Sequence, residues 1–269
     1  MNPPRLPDDP LRFFADAVRL SEVPTLEPDP RAEAALKGKR LGLLNGASWV
    51  VPWCNYFGRL HLPGVQLVHA ANDAVQLSFM DAHKRGAPCP PQRNIEIFAQ
   101  AARDLVDLAS VDAVLITCST MNRSYPVVAR AVTVPVVQID MPMMEAAVRQ
   151  GGRVLVLATH GPTVESTRAL LVETAERLGA RVEHVGVTVE RAWECLAVGD
   201  VAGHNALLRL AIDEARARDR IDCAVLAQLS MSVFVLSYPD AESEIGLPVH
   251  CSGEHGFRRV RELLSSLPH

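Results

Sequence analysis

Short apolar runs recur along most of the chain, separated by longer stretches in which apolar and polar residues mix. The runs are rich in Val, Leu and Ile without regular polar alternation, which is typical of strands buried on both faces of a parallel sheet. The predicted strands are Leu41–Leu44, Val65–His69, Ala113–Thr117, Val134–Val137, Val154–Leu157, Val182–Val185, Ala224–Ala227 and Val249–His250.

The longer stretches place apolar residues at intervals of three and four, as one buried face of an α-helix requires. Alternation of such stretches with buried strands predicts an α/β fold with parallel sheets and right-handed crossovers. The predicted helices are Ile95–Ala109, Tyr125–Ala131, Met143–Gln150, Thr163–Leu178, Glu190–Ala197 and Asn205–Arg218.

Several segments occur twice, in the same order and roughly 110 residues apart. The clearest pair is 111–120 (VDAVLITCST) and 221–230 (IDCAVLAQLS). A second pair is 39–45 (KRLGLLN) and 152–158 (GRVLVLA). A duplication of this kind predicts two pseudo-symmetric α/β/α domains that face each other across a cleft.

The repeat also suggests a division of the chain. We expect a first repeat over residues 39–138, joined by the C-terminal segment 250–269, and a second repeat over 139–249. Residues 1–38 stand outside the repeat and are expected to form an N-terminal arm containing one amphipathic helix, Leu11–Leu20. Packing on the protein is the favoured role of this arm, and a subunit contact, as in a homodimer, is the alternative.

Composition narrows the function classes. The 269 residues are 48% apolar, and 27 Lys plus Arg against 31 Asp plus Glu give a net charge of −4, without the basic surface that nucleic-acid binding needs. No secretory signal or membrane-spanning run is visible, so a cytoplasmic protein with a small-molecule partner is expected. The six cysteines lack C-x-x-C spacing and are expected to be free thiols.

Ligands of open parallel sheets bind outside the carboxyl ends of the strands, so residues at those ends are the candidates for a site. A helix that starts at Ser119 and Thr120 offers backbone N–H groups to a carboxylate, and its dipole is expected to lower the pKa of the Cys118 thiol. The candidates at strand ends are Asn45, Ser48, Cys118, Ser119, Thr120, Thr159, His160, Gln228, Ser230, His250 and Cys251.

Some of these segments resemble motifs of the aspartate/glutamate racemase superfamily. Residues 41–49 (LGLLNGASW) are similar to the family's first-strand I-G-x-x-G-G-M-S-x, and 118–121 (CSTM) to its C-N-T-x. Residues 135–148 and 157–166 are similar to its linker into the second half. The resemblance implies two similar α/β domains, no cofactor, no metal, and two cysteines that flank the substrate.

The chain departs from that pattern at the second cysteine. By the internal alignment and by the resemblance, that position is Gln228, whose carboxamide cannot carry a proton at neutral pH. The resemblance leaves Cys118 as one acid/base, and the other is expected at Cys251, His250 or His160. Residues expected to hold a small carboxylate substrate are Asn45, Ser48, Ser119, Thr120, Thr159, Ser230 and, for a second carboxylate, Arg93.

Three functions follow from this departure. The first is a cofactor-independent isomerase acting at the Cα of an aspartate- or glutamate-like substrate, with Cys118 moving the proton. The second is a one-cysteine lyase similar to arylmalonate decarboxylase, in which Gln228 stabilises negative charge. The third is a protein that binds small carboxylates without turnover.

Overall fold

The computed structural model describes residues 7–21 and 32–268, and the part of the chain it describes contains two parallel sheets of four strands each. The strand orders are β2-β1-β3-β4 in the first sheet and β6-β5-β7-β8 in the second. The strands are β1 Arg40–Asn45, β2 Gln66–Ala71, β3 Ala113–Ile116, β4 Val136–Gln138, β5 Arg153–Ala158, β6 Glu183–Thr188, β7 Cys223–Leu226 and β8 Val249–Cys251.

Helices cover both faces of the sheets. They are α1 Pro10–Ser21, α2 Val51–His61, α3 Asp73–Lys84, α4 Gln92–Ala109, α5 Tyr125–Ala131, α6 Met141–Gln150, α7 Gly161–Arg177, α8 Glu190–Ala197, α9 Val201–Arg218, α10 Ser232–Ser237, α11 Ala241–Ile245 and α12 Ser252–Ser266.

The predicted α/β class is confirmed, and all eight predicted strands are present within a few residues of their expected bounds. The two sheets share one strand order, as a duplication requires. Within it β3 corresponds to β7, and Cys118 and Gln228 each lie two residues beyond the end of their strand. The duplication therefore places these two residues at equivalent points of the two sheets.

The aspartate near the start of each copied segment has the same role in both. Asp112 Oδ2 accepts the backbone N–H of Arg40 at 2.7 Å, and Asp222 Oδ2 accepts that of Arg153 at 2.8 Å. Arg40 and Arg153 are the first residues of β1 and β5. Each carboxylate thus satisfies the N–H at the start of a central strand, which explains its repetition on structural grounds.

The C-terminal helix returns to the first sheet. Phe257 and Val260 of α12 belong to one buried cluster with Leu41 and Leu43 of β1. This packing places α12 against the first sheet, and the bounds of the two repeats stay a prediction.

The predicted N-terminal helix is present as α1, Pro10–Ser21, and none of its residues is buried. The rest of the predicted arm lies partly outside the described residues, at 1–6 and 22–31. Among the described helices, none is long and apolar enough to cross a membrane.

Candidate active site

A cleft lies between the carboxyl ends of the two sheets and holds about 460 Å³ of space, part of it open to solvent. Residues of both repeats line it, as the duplication predicts. They are Gly46, Ala47, Trp49, Val50, Gln76, Phe79, Thr117, Cys118, Ser119 and Thr120 from the first repeat, and His160, Thr163, Gln228, Leu229 and Ser230 from the second.

Cys118 follows β3 in extended conformation, just before the short 3-10 helix Ser119–Ser124. Burial raises the pKa of its thiol to about 12, although the backbone N–H groups of Met121 and Thr120 act in the opposite direction. The helix start thus lowers the pKa as expected, but burial outweighs it, and the expected low pKa is wrong. With the net pKa raised, Cys118 is a neutral thiol at pH 7.

The position of the thiol depends on Gly46, the residue after β1. A Cβ built on Gly46 would lie 2.6 Å from Cys118 Sγ and 3.8 Å from Phe79 Cε1. Carbon and sulfur atoms that are not bonded do not approach to 2.6 Å without strain. Glycine at this position therefore provides the space that the thiol occupies.

A buried carboxylate lies near this thiol. Asp140, directly before α6, is fully buried and accepts a hydrogen bond from Asn122 Nδ2 at 2.8 Å. Burial raises the pKa of Asp140 to about 6, and the hydrogen bond from Asn122 acts in the opposite direction. Its negative charge in turn raises the pKa of Cys118, which further favours the neutral thiol.

Gln228 occupies the equivalent point of the second sheet and is held in one orientation. Its Oε1 accepts the backbone N–H of Thr159 at 2.6 Å and the Thr159 hydroxyl at 2.9 Å. A backbone N–H can only donate, so the oxygen end of the carboxamide must face Thr159. The Nε2 group is left as a pair of hydrogen-bond donors on a residue that lines the cleft.

Hydroxyl groups connect the two repeats at the floor of the cleft. The Oγ1 atoms of Thr120 and Thr163 lie 3.0 Å apart, and the Ser166 hydroxyl donates to the carbonyl oxygen of Ser119 at 2.9 Å. Thr120 and Ser119 are buried, and so is Ser230, which lines the cleft after β7. The predicted sites Ser119, Thr120 and Ser230 are thus brought together.

His160 is the one of the three suggested second acid/base residues that reaches the cleft. Burial lowers the pKa of its imidazole to about 4, so the ring is neutral at pH 7. The ring packs against Trp193 with centroids 5.0 Å apart, and within the described structure its buried Nε2 has no hydrogen-bond partner. A neutral imidazole with a free nitrogen can accept a proton.

The other two suggested carriers lie elsewhere. Cys251 is 3% exposed and belongs to the apolar core of the second repeat, because the last residue of β8 points into that core. His250 contacts Gln150 at 2.9 Å and His255 at 3.2 Å, outside the cleft lining. Neither residue therefore lines the cleft, and of the three suggested carriers only His160 does.

Four residues expected to bind substrate also lie outside the lining of the cleft, namely Asn45, Ser48, Arg93 and Thr159. The carboxamide of Asn45 is buried and bonded to the Thr117 hydroxyl at 2.7 Å. Ser48 donates from both its backbone and its hydroxyl to Asp73. Arg93 is exposed, pairs with Glu96 at 3.2 Å and lies outside the lining of the cleft.

Thr159 supports the site from one layer further out, since it holds Gln228 but does not itself line the cleft. Strand-end reasoning missed Gln76, Phe79 and Thr163, which lie on helices α3 and α7. The spacing of Val75, Phe79 and Ala82 is a helical signal that would have found α3, and with it the aromatic wall.

Comparison with known proteins agrees with the fold. The structure is similar to an aspartate racemase homologue from Pyrococcus horikoshii OT3 (19% identity, TM-score 0.60, covering 85% of this chain and 100% of that one). It is also similar to allantoin racemase from Klebsiella pneumoniae (17% identity, TM-score 0.59, covering 85% of this chain and 88% of that one). A third similar structure is glutamate racemase from Francisella tularensis subsp. tularensis SCHU S4 in complex with D-glutamate (16% identity, TM-score 0.60, covering 84% of this chain and 81% of that one).

The sequence has no match among the curated proteins. The model of the Asp/Glu/hydantoin racemase family matches residues 67–259, which include Cys118, His160 and Gln228. The chain therefore belongs to the Asp/Glu/hydantoin racemase family.

Proposed function

We propose that the protein is a cofactor-independent, racemase-like isomerase that moves a proton at the carbon next to a carboxylate. The observation that carries the proposal is the presence of one thiol, Cys118, and one neutral imidazole, His160, in the lining of the same interdomain cleft. Family membership and the fold of the solved racemases support an isomerase. Small carboxylates are the proposed substrates.

The resting protonation states suit one base and one acid. His160 is neutral and takes the Cα proton from one face, while the neutral Cys118 thiol delivers its own proton to the other face. The product is the opposite enantiomer, and the enzyme is left as imidazolium and thiolate. Proton exchange with water, or turnover in the reverse direction, restores both groups.

Negative charge develops on the substrate carboxylate when the Cα proton leaves. The Nε2 donors of Gln228 and the hydroxyl of Ser230 come from the second repeat, and the hydroxyl of Thr120 comes from the first. Preorganised donors of this kind stabilise an enolate without having to reorient during the reaction. Gln228 is thus proposed to bind charge rather than to carry a proton.

A lyase is the second candidate, and the observation in its favour is the carboxamide at Gln228. A neutral thiol needs no partner to protonate an enolate that forms by loss of CO2, so Cys118 alone would suffice. The substrate would then carry two carboxylates on one carbon, of which one leaves. Binding without turnover is the third outcome to be distinguished.

Deuterium exchange separates these functions. Each enantiomer of acidic amino acids, hydantoins and substituted malonates is incubated in D2O, with NMR detection of the Cα signal and chiral analysis of the product. An isomerase gives racemic product from either enantiomer, and His160→Gln stops that conversion. CO2 release from a malonate, retained in His160→Gln, identifies the lyase. Ligand-dependent thermal stabilisation without exchange identifies a binding protein and contradicts the proposal.

The cytoplasmic location and the homodimer stay predictions from the sequence.

A further inference from the structure

We infer that the cleft selects a substrate with one carboxylate and an apolar or aromatic substituent, in preference to a substrate with a second, side-chain carboxylate. The inference rests on the proposed function of this same site and names its substrate class. It is carried by the chemistry of the lining residues, which are of two kinds: a polar group, called the floor, and an apolar group, called the wall.

The apolar wall is formed by Trp49, Val50, Phe79 and Leu229, with Ala47 beside them. Trp49 is held in place by a hydrogen bond from its Nε1 to Gln76 Oε1 at 2.7 Å. An indole has a single donor, so the rest of the Trp49 ring offers only apolar surface. Trp49 and the neighbouring Trp193 pack with centroids 4.9 Å apart, which fixes the wall across the two repeats.

The thiol borders this wall. Cys118 Sγ and Phe79 Cε1 both lie within reach of a Cβ built on Gly46, at 2.6 and 3.8 Å. A carbon that receives a proton from Cys118 must lie against the thiol. Its substituents therefore lie within reach of Phe79, and a ring or branched alkyl group gains from contact there.

Among the described residues that line the cleft there is no Lys, Arg, Asp or Glu. The arginine predicted to bind a second carboxylate, Arg93, is exposed and paired with Glu96. Moving a second carboxylate from water to this wall would leave it without a cation, and desolvation of an unpaired charge is costly.

The polar floor has donors for one carboxylate. Gln228 Nε2 and the Ser230 hydroxyl lie on the second repeat, and Thr120, whose hydroxyl contacts Thr163 at 3.0 Å, lies on the first. A carboxylate has two oxygens, and these donors suffice to bind both. With the single anionic group placed on the floor, the remaining substituent is directed to the wall.

Binding of two matched probes tests the inference without turnover. Calorimetric titration with 3-phenylpropionate and with glutarate compares a phenyl group with a second carboxylate on chains of similar length. We expect 3-phenylpropionate to bind at least about tenfold more tightly, from burial of the ring. Equal or tighter binding of glutarate, or binding of neither, overturns the inference.

A charge placed in the wall should reverse this preference. Val50→Arg puts a cation at a half-exposed position of the lining, and Val198→Arg makes the same change at a residue that is 66% exposed and outside it. Glutarate should gain at least about tenfold in Val50→Arg and nothing in Val198→Arg. If Val50→Arg does not fold, as judged by circular dichroism, the relative affinity of the parent protein for 3-phenylpropionate and glutarate still tests the inference.

Turnover separates failure of this inference from failure of the proposed function. Deuterium exchange at Cα is compared for phenylalanine, leucine, aspartate and glutamate. Faster exchange of phenylalanine or leucine supports both the substrate class and the isomerase. Faster exchange of aspartate or glutamate overturns the substrate class but supports the isomerase. Exchange of none, together with preferred binding of 3-phenylpropionate, supports the substrate class and counts against the isomerase.

Discussion

The contact between Gly46 and Cys118 makes a single methyl group a sharp probe of the site. Gly46→Ala would add a Cβ 2.6 Å from Cys118 Sγ, whereas ordinary contacts begin at 3.4 Å. The two atoms must therefore separate by about 0.8 Å, the difference between those distances. The new methyl group would also lie 3.1 Å from Cys118 Cβ and 3.8 Å from Phe79 Cε1, so we expect the thiol to shift.

A displacement of about 1 Å at a reacting atom costs on the order of a hundredfold in rate. We therefore expect Gly46→Ala to slow conversion of a substrate to its opposite enantiomer about a hundredfold. The matched control is Gly42→Ala, four residues earlier and within β1, whose Cβ would meet Leu105 Cδ1 at 3.0 Å, away from the cleft. Overpacking should cost each variant about 1–3 kcal/mol of unfolding free energy.

The assay is conversion between enantiomers of the substrate that the parent protein turns over fastest, followed by chiral analysis, with urea unfolding of both variants in parallel. We expect the two variants to lose comparable stability and only Gly46→Ala to lose the reaction. If Gly46→Ala converts its substrate as fast as Gly42→Ala, the thiol is either not displaced or not part of the reaction, and the assignment is refuted.

Three further predictions concern the groups around the thiol. Thr159→Val removes the 2.9 Å hydrogen bond from the Thr159 hydroxyl to Gln228 and keeps the one from the backbone N–H. It should cost about 1 kcal/mol of unfolding free energy and slow exchange several-fold. Unchanged kinetics would mean that Gln228 does not stabilise charge in the reaction. Asp140 has a raised pKa of about 6, so the folded state binds this proton more tightly than the unfolded state. The free energy of unfolding of the parent should therefore fall by about 3 kcal/mol as pH rises from about 4 to 6. Asp140→Asn should lack that loss in urea unfolding at pH 4 to 7, and an equal pH dependence of stability in the two proteins would contradict a raised pKa of Asp140. His160 has a lowered pKa of about 4, so the unfolded state binds this proton more tightly than the folded state. The free energy of unfolding of the parent should therefore fall by about 3 kcal/mol as pH falls from about 6.5 to 4. His160→Gln should lose less stability over that pH range, and an equal loss would show that His160 is accessible to protons when folded.

The sheets were predictable because buried strands leave a direct record in the sequence. Runs such as Ala113–Ile116 and Cys223–Leu226 are apolar throughout, since both faces of each strand are covered. Helix α2 leaves no such record. Its segment contains Pro52, Asn55 and Gly58, which have low helix propensity, and it is stabilised by packing of Phe57 against Phe257, two hundred residues further along the chain.

The position of the site followed from the strand-end rule, but the direction of each side chain did not. Cys118 and Gln228 line the cleft, whereas Asn45, at the end of β1, points into the protein and bonds to Thr117. The predicted low pKa of Cys118 was wrong for a related reason. The helix start is visible in the sequence, while the burial that outweighs it and the charge of Asp140 are properties of the packed structure.

The most direct test of the central claim is the rate at which Cys118→Ala converts one enantiomer of the substrate to the other, compared with the parent and with Cys195→Ala, which removes a partly exposed thiol of α8 outside the cleft. If Cys118 carries the proton on one face, conversion in Cys118→Ala falls to the rate in buffer, and Cys195→Ala keeps the rate of the parent. Conversion in folded Cys118→Ala at the rate of the parent would contradict the account.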